Sequence, residues 1–133
     1  MNDISKQKIL VIEDEPFICR VCEKILVTEG FDIDIAENGL IALEMTRKKS
    51  YDLIFSDVRT PKMNGIEFFN QIKQQYPDLA ERIIFTSGDI MSPDVKDFLS
   101  KNQNPFLAKP FMPRELREIV KRTLVKTGAP SVS

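Results

Sequence analysis

Histidine is absent from the 133 residues. That excludes a histidine general base and any histidine metal ligand. Cysteine is scarce: Cys19 and Cys22 are the two, in a C-R-V-C spacing. A zinc site needs about four ligands, and no further Cys or His exists to complete one. A redox pair gains thiolate character at a helix's first turn. Here both residues fall inside a helical pattern, with Cys22 in register with Ile18 and Ile25 on an apolar stripe, so helix packing is the expected role. No apolar run approaches the roughly 20 residues of a membrane-spanning helix. The polar start MNDISKQK lacks the apolar segment of a signal peptide, and a cytoplasmic location is expected. An excess of one charge is missing too. With 19 basic and 20 acidic residues the formal net charge is −1, which gives neither a nucleic-acid footprint nor an attraction to membranes. Repeats, low-complexity segments and a Gly-rich phosphate loop are also absent.

What is present suits one globular domain. Hydrophobic residues make up 42% and charged residues 29%, and a chain of this length buries a core without disulfide or metal staples. Short aliphatic runs alternate with amphipathic segments. Strands are expected at Lys8–Ile12, Asp32–Ala36, Leu53–Ser56, Arg82–Thr86 and Phe106–Ala108. The first, third and fourth are nearly continuous apolar runs, as in parallel sheets covered on both faces. Helices are expected to start near Glu15–Pro16, after Asn38, near Asn64, at Ser92–Pro93 and near Pro113. Gly30 stands just past the end of the first. Glu15 is expected to support that helix as a first-turn acid. Five strand–helix units in strict alternation predict a doubly wound α/β domain with a parallel sheet. The folded domain is expected to span 8–126, with flexible ends at 1–7 and 127–133.

The polar residues collect where strands end. The first strand runs into Glu13–Asp14, the third into 57-DVRTPKMNG-65, the fourth into 86-TSG-88 and the fifth into 109-KPF-111. Ligands of open α/β sheets bind at that carboxyl edge. An isolated Asp at a strand end is usually a cap or turn former, and Thr86 or Lys109 alone would be unremarkable. Their coincidence on one edge is the signal. Adjacent acids repel, so a cation is needed, and Lys109 or a bound metal supplies it. Carboxylates of Asp14 and Asp57, Glu13 directly or through water, and the backbone carbonyl of Arg59 suit Mg²⁺ or Mn²⁺. Asp57 is the candidate nucleophile, since carboxylates form aspartyl-phosphates. The metal, Lys109 and the Thr86 hydroxyl would each take a phosphoryl oxygen.

These motifs, Glu13–Asp14, Asp57 with 61-PKMNG-65, 86-TSG-88 and 109-KPF-111, resemble the receiver domain of two-component response regulators. The resemblance covers about 7 to 125. It implies a flavodoxin-like fold with sheet order 2-1-3-4-5, and a phosphorelay role: Asp57 takes a phosphoryl group from a phosphohistidine of a histidine kinase or histidine phosphotransfer domain. The domain would catalyse its own phosphorylation and dephosphorylation without turning over an external substrate. Mg²⁺ would sit at Glu13, Asp14, Asp57 and the Arg59 carbonyl, and Lys109–Pro110 would be cis. Thr86 and Phe106 would form the switch. The fourth helix, fifth strand and fifth helix would be the output face, with phosphorylation-dependent homodimerisation one outcome. Arg59 and Gly88 would modulate phosphoryl lifetime. Direct nucleic-acid binding and membrane insertion are not expected. Glu13 stands where Asp is commoner, and Phe106 lacks the hydroxyl of the frequent Tyr. The segment 97-DFLSKNQNPFLAKPF-111 resembles receivers attached to hybrid sensor kinases. Two other readings compete. An aspartyl-phosphate phosphatase wants an acid two residues beyond the nucleophile, where Arg59 stands. A degenerate, binding-only receiver would not need Asp14, Asp57, Thr86 and Lys109 together.

Overall fold

A computed structural model describes residues 6–127. The expected flexible ends therefore lie almost wholly outside the described residues. Five strands, β1 (Lys8–Ile12), β2 (Asp32–Ala36), β3 (Leu53–Asp57), β4 (Ile83–Ser87) and β5 (Phe106–Ala108), form one parallel sheet of order 2-1-3-4-5. The helices are α1 (Pro16–Thr28), α2 (Gly39–Lys48), α3 (Gly65–Gln75), α4 (Pro77–Ala80), α5 (Pro93–Lys101) and α6 (Pro113–Lys126). Among the described residues no helix is long and apolar enough to cross a membrane.

Strand alternation sorts the core onto two faces. Ile9, Val11, Leu53, Phe55 and Ile84 pack with Cys22 and Leu26 of α1 and with Leu116, Ile119 and Val120 of α6. Leu10, Ile12, Ile54, Ile83 and Phe85 pack with α2, α3 and α5 through Leu43, Phe68, Ile72 and Phe98. Successive side chains of a strand point to opposite faces, which is why continuous aliphatic runs were needed. Phe69, Phe85 and Phe98 meet edge to face, with centroids 4.9–5.7 Å apart.

The helix ends follow local chemistry. At the end of α1, Gly30 takes φ +98°. Its amide bonds to the Val27 carbonyl, and the Phe31 amide to that of Leu26. Phe31 packs in the same cluster as Leu26, completing a Schellman motif. The Asn38 side chain caps α2 by accepting from the Ile41 amide at 2.9 Å. Asn64 and Glu67 form a reciprocal capping box at the start of α3. Before β5, the Asn104 side-chain amide donates to the Ala80 and Ile83 carbonyls, both at 2.8 Å.

Five expectations need correction. The third strand reaches Asp57, and the fourth runs Ile83–Ser87, one residue later than expected. Pairing of Asp57 with Thr86 and of Ser87 with Ala108 extends the two strands into the polar edge. The short α4 was not expected, because four residues are too few for a helical period to register. It makes the helices after Ser92 and Met112 α5 and α6, so the expected output face is α5–β5–α6. Ser92 stands at the N-cap of α5 without capping it; its hydroxyl donates to the Asp94 carboxylate instead. Glu15 is the N-cap residue of α1 rather than part of its first turn, and its side chain makes no cap bond.

Candidate functional site

The carboxyl ends of β1 and β3 bring the acids together. The Glu13 amide continues the β1 ladder by donating to the Ala36 carbonyl at 3.0 Å. That turns the Glu13 side chain into the interior, where it is 2% exposed, while Asp57 at the end of β3 is 6% exposed. One carboxylate oxygen from each of Glu13, Asp14 and Asp57 lies within 4.8 Å of the other two. Asp14 is exposed. Lys109, at the end of β5, answers the repulsion. Its Nζ lies 2.8 Å from Glu13 Oε1 and 2.6 Å from Asp57 Oδ2, with Glu15 at 3.9 Å. The Glu13 carboxylate also accepts from the Glu15 amide at 3.2 Å, and Asp57 Oδ1 accepts from the Arg59 amide at 2.9 Å.

Burial pushes the Glu13 pKa up, Lys109 opposes that and the neighbouring Asp57 charge adds to it. For Lys109 burial works against the charged form, but the bonds from Asp57 and Glu13 prevail and its pKa is pushed up to about 12. The lysine therefore stays an ammonium wedged between two carboxylates.

The oxygen-only donor set fits a hard divalent cation. Glu13, Asp14 and Asp57 offer oxygens at metal-sharing separation, one of them open to solvent. Such a mix suits Mg²⁺, which keeps several waters and is bound by few protein carboxylates.

The remaining expected site residues are placed differently. Thr86 is fully buried, and its hydroxyl donates to the Leu107 carbonyl of β5 at 2.6 Å, so it is committed to the neighbouring strand rather than to the acids. Phe106 is half-buried against the cluster that contains Phe85 and Phe98. The Lys109–Pro110 bond is cis. Gly88 has room for a side chain, since a Cβ there would come no closer than 3.8 Å, to Lys109 Cβ. Cys22 is fully buried in the core, and burial pushes its thiol up to about 12. The Cys19 thiol, also raised by burial, donates to the Glu13 carbonyl at 3.3 Å.

Arg59 carries contacts that its position alone did not announce. Nη1 and Nη2 donate to the two oxygens of Asp94, both at 2.9 Å, and Nη2 also reaches Ser92 Oγ at 2.8 Å and Asp89 Oδ2 at 3.1 Å. The guanidinium thus ties the loop after β3 to the first turn of α5. The partners are at least 30 residues away in sequence, and no local pattern in 89-DIMSPD-94 points to them.

Fold and site together define a flavodoxin-like α/β domain with an acid–lysine cluster at the carboxyl edge of its sheet. The family model of the response regulator receiver domain matches residues 9–121. The chemotaxis protein CheY of Bacillus subtilis is 34% identical over 118 residues, covering 88% of this chain and 97% of that protein. The alkaline phosphatase synthesis transcriptional regulatory protein PhoP of Bacillus subtilis is 34% identical over 127 residues, covering 94% of this chain and 52% of that protein. A crystal structure of the receiver domain of sensor histidine kinase PA1611 from Pseudomonas aeruginosa PAO1, with magnesium coordinated in its active-site cleft, superimposes with a TM-score of 0.80 at 29% identity, covering 91% of this chain and 99% of that one. The chain spans about half the length of several other curated relatives it matches. It belongs to the receiver domain family of two-component response regulators.

Proposed function

We propose that Asp57 is the phosphoacceptor of a phosphorelay, and that its donor is a phosphohistidine of a histidine kinase or histidine phosphotransfer domain. The observation that carries this is the setting of Asp57. It is 6% exposed at the end of the central strand β3, with one oxygen on the Arg59 amide and the other on Lys109. It also shares a metal-sized space with Glu13 and Asp14.

An Asp57 carboxylate oxygen attacks phosphorus as the bond from phosphorus to the donor nitrogen breaks. The freed imidazole takes a proton from solvent. Lys109 loses a carboxylate partner as Asp57 becomes an acyl phosphate and gains a phosphoryl oxygen in its place. The Arg59 amide holds the acceptor in line. Glu13, Asp14, Asp57 and the Arg59 carbonyl would hold Mg²⁺ or Mn²⁺, which when bound neutralises phosphoryl charge. Water later attacks phosphorus, releasing phosphate and restoring the carboxylate.

For Thr86 to take the third phosphoryl oxygen, its hydroxyl must leave the Leu107 carbonyl. That departure releases the middle of β5 and lets Phe106 repack, altering the α5–β5–α6 face, through which a phosphorylation-dependent dimer would form. Arg59 and Gly88 tune the lifetime of the phosphoryl group. The working unit is 8–126, acting in the cytoplasm beside its kinase, without binding nucleic acid itself. A phosphatase is disfavoured, because the position of its general acid is held by Arg59, whose side chain is engaged elsewhere.

The test is intact mass after incubation with acetyl phosphate, with Mg²⁺ or with a chelator, beside Asp57→Asn. A single phosphoryl adduct is expected, requiring both Mg²⁺ and Asp57. An adduct on Asp57→Asn would overturn the assignment. Loss of both adduct and Mg²⁺ binding in the parent would point to a binding-only module.

A further inference from the structure

Arg59 is hinged at the acceptor. Its backbone amide donates to Asp57 Oδ1 at 2.9 Å, while its guanidinium grips Asp94, Asp89 and Ser92. The grip is bidentate on Asp94, and the Ser92 hydroxyl donates to the same carboxylate. It is also exposed. The side chains of Arg59, Asp89 and Asp94 are 44%, 55% and 55% exposed, so solvent and salt weaken the attraction.

Resting on the phosphoacceptor reading of Asp57, we infer that Arg59 is a charge-exchange switch: phosphorylation draws its guanidinium from Asp94 to the phosphoryl group and releases the first turn of α5. Three physical facts carry the exchange. A phosphoryl group brings roughly 1.5 to 2 negative charges and three acceptor oxygens, against one charge and two oxygens on Asp94. Guanidinium matches either bidentately. A divalent cation, when bound, and Lys109 would balance the three carboxylates of the cluster, so the charge that the phosphoryl group adds beyond the Asp57 charge it replaces calls for a further cation. Arg59 is the cation whose own backbone amide already lies 2.9 Å from Asp57 Oδ1.

Release has a defined structural result. With Arg59 gone, Asp89 and Asp94 face each other without their shared cation. The loop between β4 and α5 is otherwise held by few bonds: the Asp89 amide to Ser87 Oγ at 2.9 Å, and the Ser92 amide to the Asp89 carbonyl at 3.3 Å. It carries two exposed apolar side chains, Ile90 at 42% and Met91 at 72%. Loosening it changes how Ile90 and Met91 are presented. This route from Asp57 to α5 does not pass through Thr86.

Hydrogen exchange with mass readout tests it, comparing parent, Arg59→Lys, Arg59→Ala and Asp94→Asn with and without acetyl phosphate and Mg²⁺, on molecules whose adduct is verified by intact mass. The reporter is the Lys96 amide, which donates to the Ser92 carbonyl at 3.0 Å across the first turn of α5. In the parent, phosphorylation should speed its exchange several-fold. Asp94→Asn should exchange faster than the parent in both states, and its phosphoryl lifetime should differ from the parent's, because its Arg59 has lost the charged bidentate partner and keeps only Asp89 and Ser92. Arg59→Ala should exchange fast throughout, and Arg59→Lys, charged but not bidentate, should fall between. An adduct on Asp57 with unchanged Lys96 exchange overturns the switch alone, as does a full phosphorylation response in Arg59→Ala. No adduct together with no Mg²⁺ binding in the parent overturns the reading beneath it, and the switch with it.

Discussion

Lys109 touches both buried acids, at 2.8 Å from Glu13 and 2.6 Å from Asp57. Its own side chain is 15% exposed, so this is an interior ion triad rather than a surface pair. Removing one member of such a set strands the others without compensation, typically at about 3–5 kcal/mol. Lys109→Ala should therefore unfold at lower temperature than the parent in chelator. Mg²⁺ should restore more stability to the variant than to the parent, because it supplies the missing positive charge as well as binding energy. Thermal unfolding with chelator and with Mg²⁺ measures both effects. Equal Mg²⁺-induced shifts in the two proteins would show that Lys109 and the metal do not serve the same charge. The residue also marks what sequence made legible at this scale. Asp57, Glu13 and Lys109 stand at strand ends, so alternation alone brought them to one edge. The direction of the Thr86 hydroxyl was not legible, because it depends on a choice between the acids and the Leu107 carbonyl that spacing does not encode. The Arg59 grip was hidden for a different reason: its partners come from another βα loop.

At the scale of elements, α3 is seated by a close approach. The Gly65 amide donates to the Val58 carbonyl at 2.9 Å, and a Cβ on Gly65 would lie 2.5 Å from the Asp57 carbonyl. In an ordinary helix, Gly→Ala gains up to about 1 kcal/mol. Here the sign reverses, since overpacking of a fixed backbone costs about 1–3 kcal/mol. Gly65→Ala should lower the urea midpoint and also slow adduct formation, because relief of the clash moves the end of β3. Asn64→Ala removes the neighbouring capping box, with a loss of about 1 kcal/mol, and should leave adduct formation near that of the parent. If both variants lose stability yet phosphorylate alike, the glycine serves the helix only. The types of the five strands and the five longer helices were readable, from the buried runs of β1, β3 and β4 to the caps at Asn38 and Asn64, while the four-residue α4 was not. Boundaries were less so: β4 slid by one residue because Arg82 and Ile83 both suit a strand start, and only pairing with β3 fixes the register.

On the scale of the whole molecule, the edge strand β2 is tied to the chain ahead of β3. Away from the acids, Asp34 of β2 accepts from Tyr51 Oη at 2.7 Å and Lys49 Nζ at 3.0 Å, joining β2 to the chain between α2 and β3. Burial alone would raise the Asp34 pKa, but the bonds from Tyr51 and Lys49 bring it below the usual 3.8. Its contribution is therefore present above that value and lost as pH falls through the lower, folded value. The Tyr51 hydroxyl is raised above 10.0 by burial and by Asp34, so its contribution is present below 10.0 and lost as pH rises beyond it. Tyr51→Phe should cost about 1 kcal/mol across a plateau between about pH 5 and 9, and the gap from the parent should narrow at both ends. Urea midpoints across pH measure this, and a gap constant with pH would mean that packing, not the Asp34 bond, was lost. Strand β5 shows what the assembled sheet does mechanically. Before it, Asn104 is fastened to Ala80 and Ile83; after it, the Lys109 amide is fastened to the Ser87 carbonyl at 3.0 Å. Thr86 holds the strand near its middle, at Leu107. A string pinned at both ends cannot slide when its middle is let go; it can only bow, so the smallest strand of the sheet turns a lost hydrogen bond into a sideways deflection.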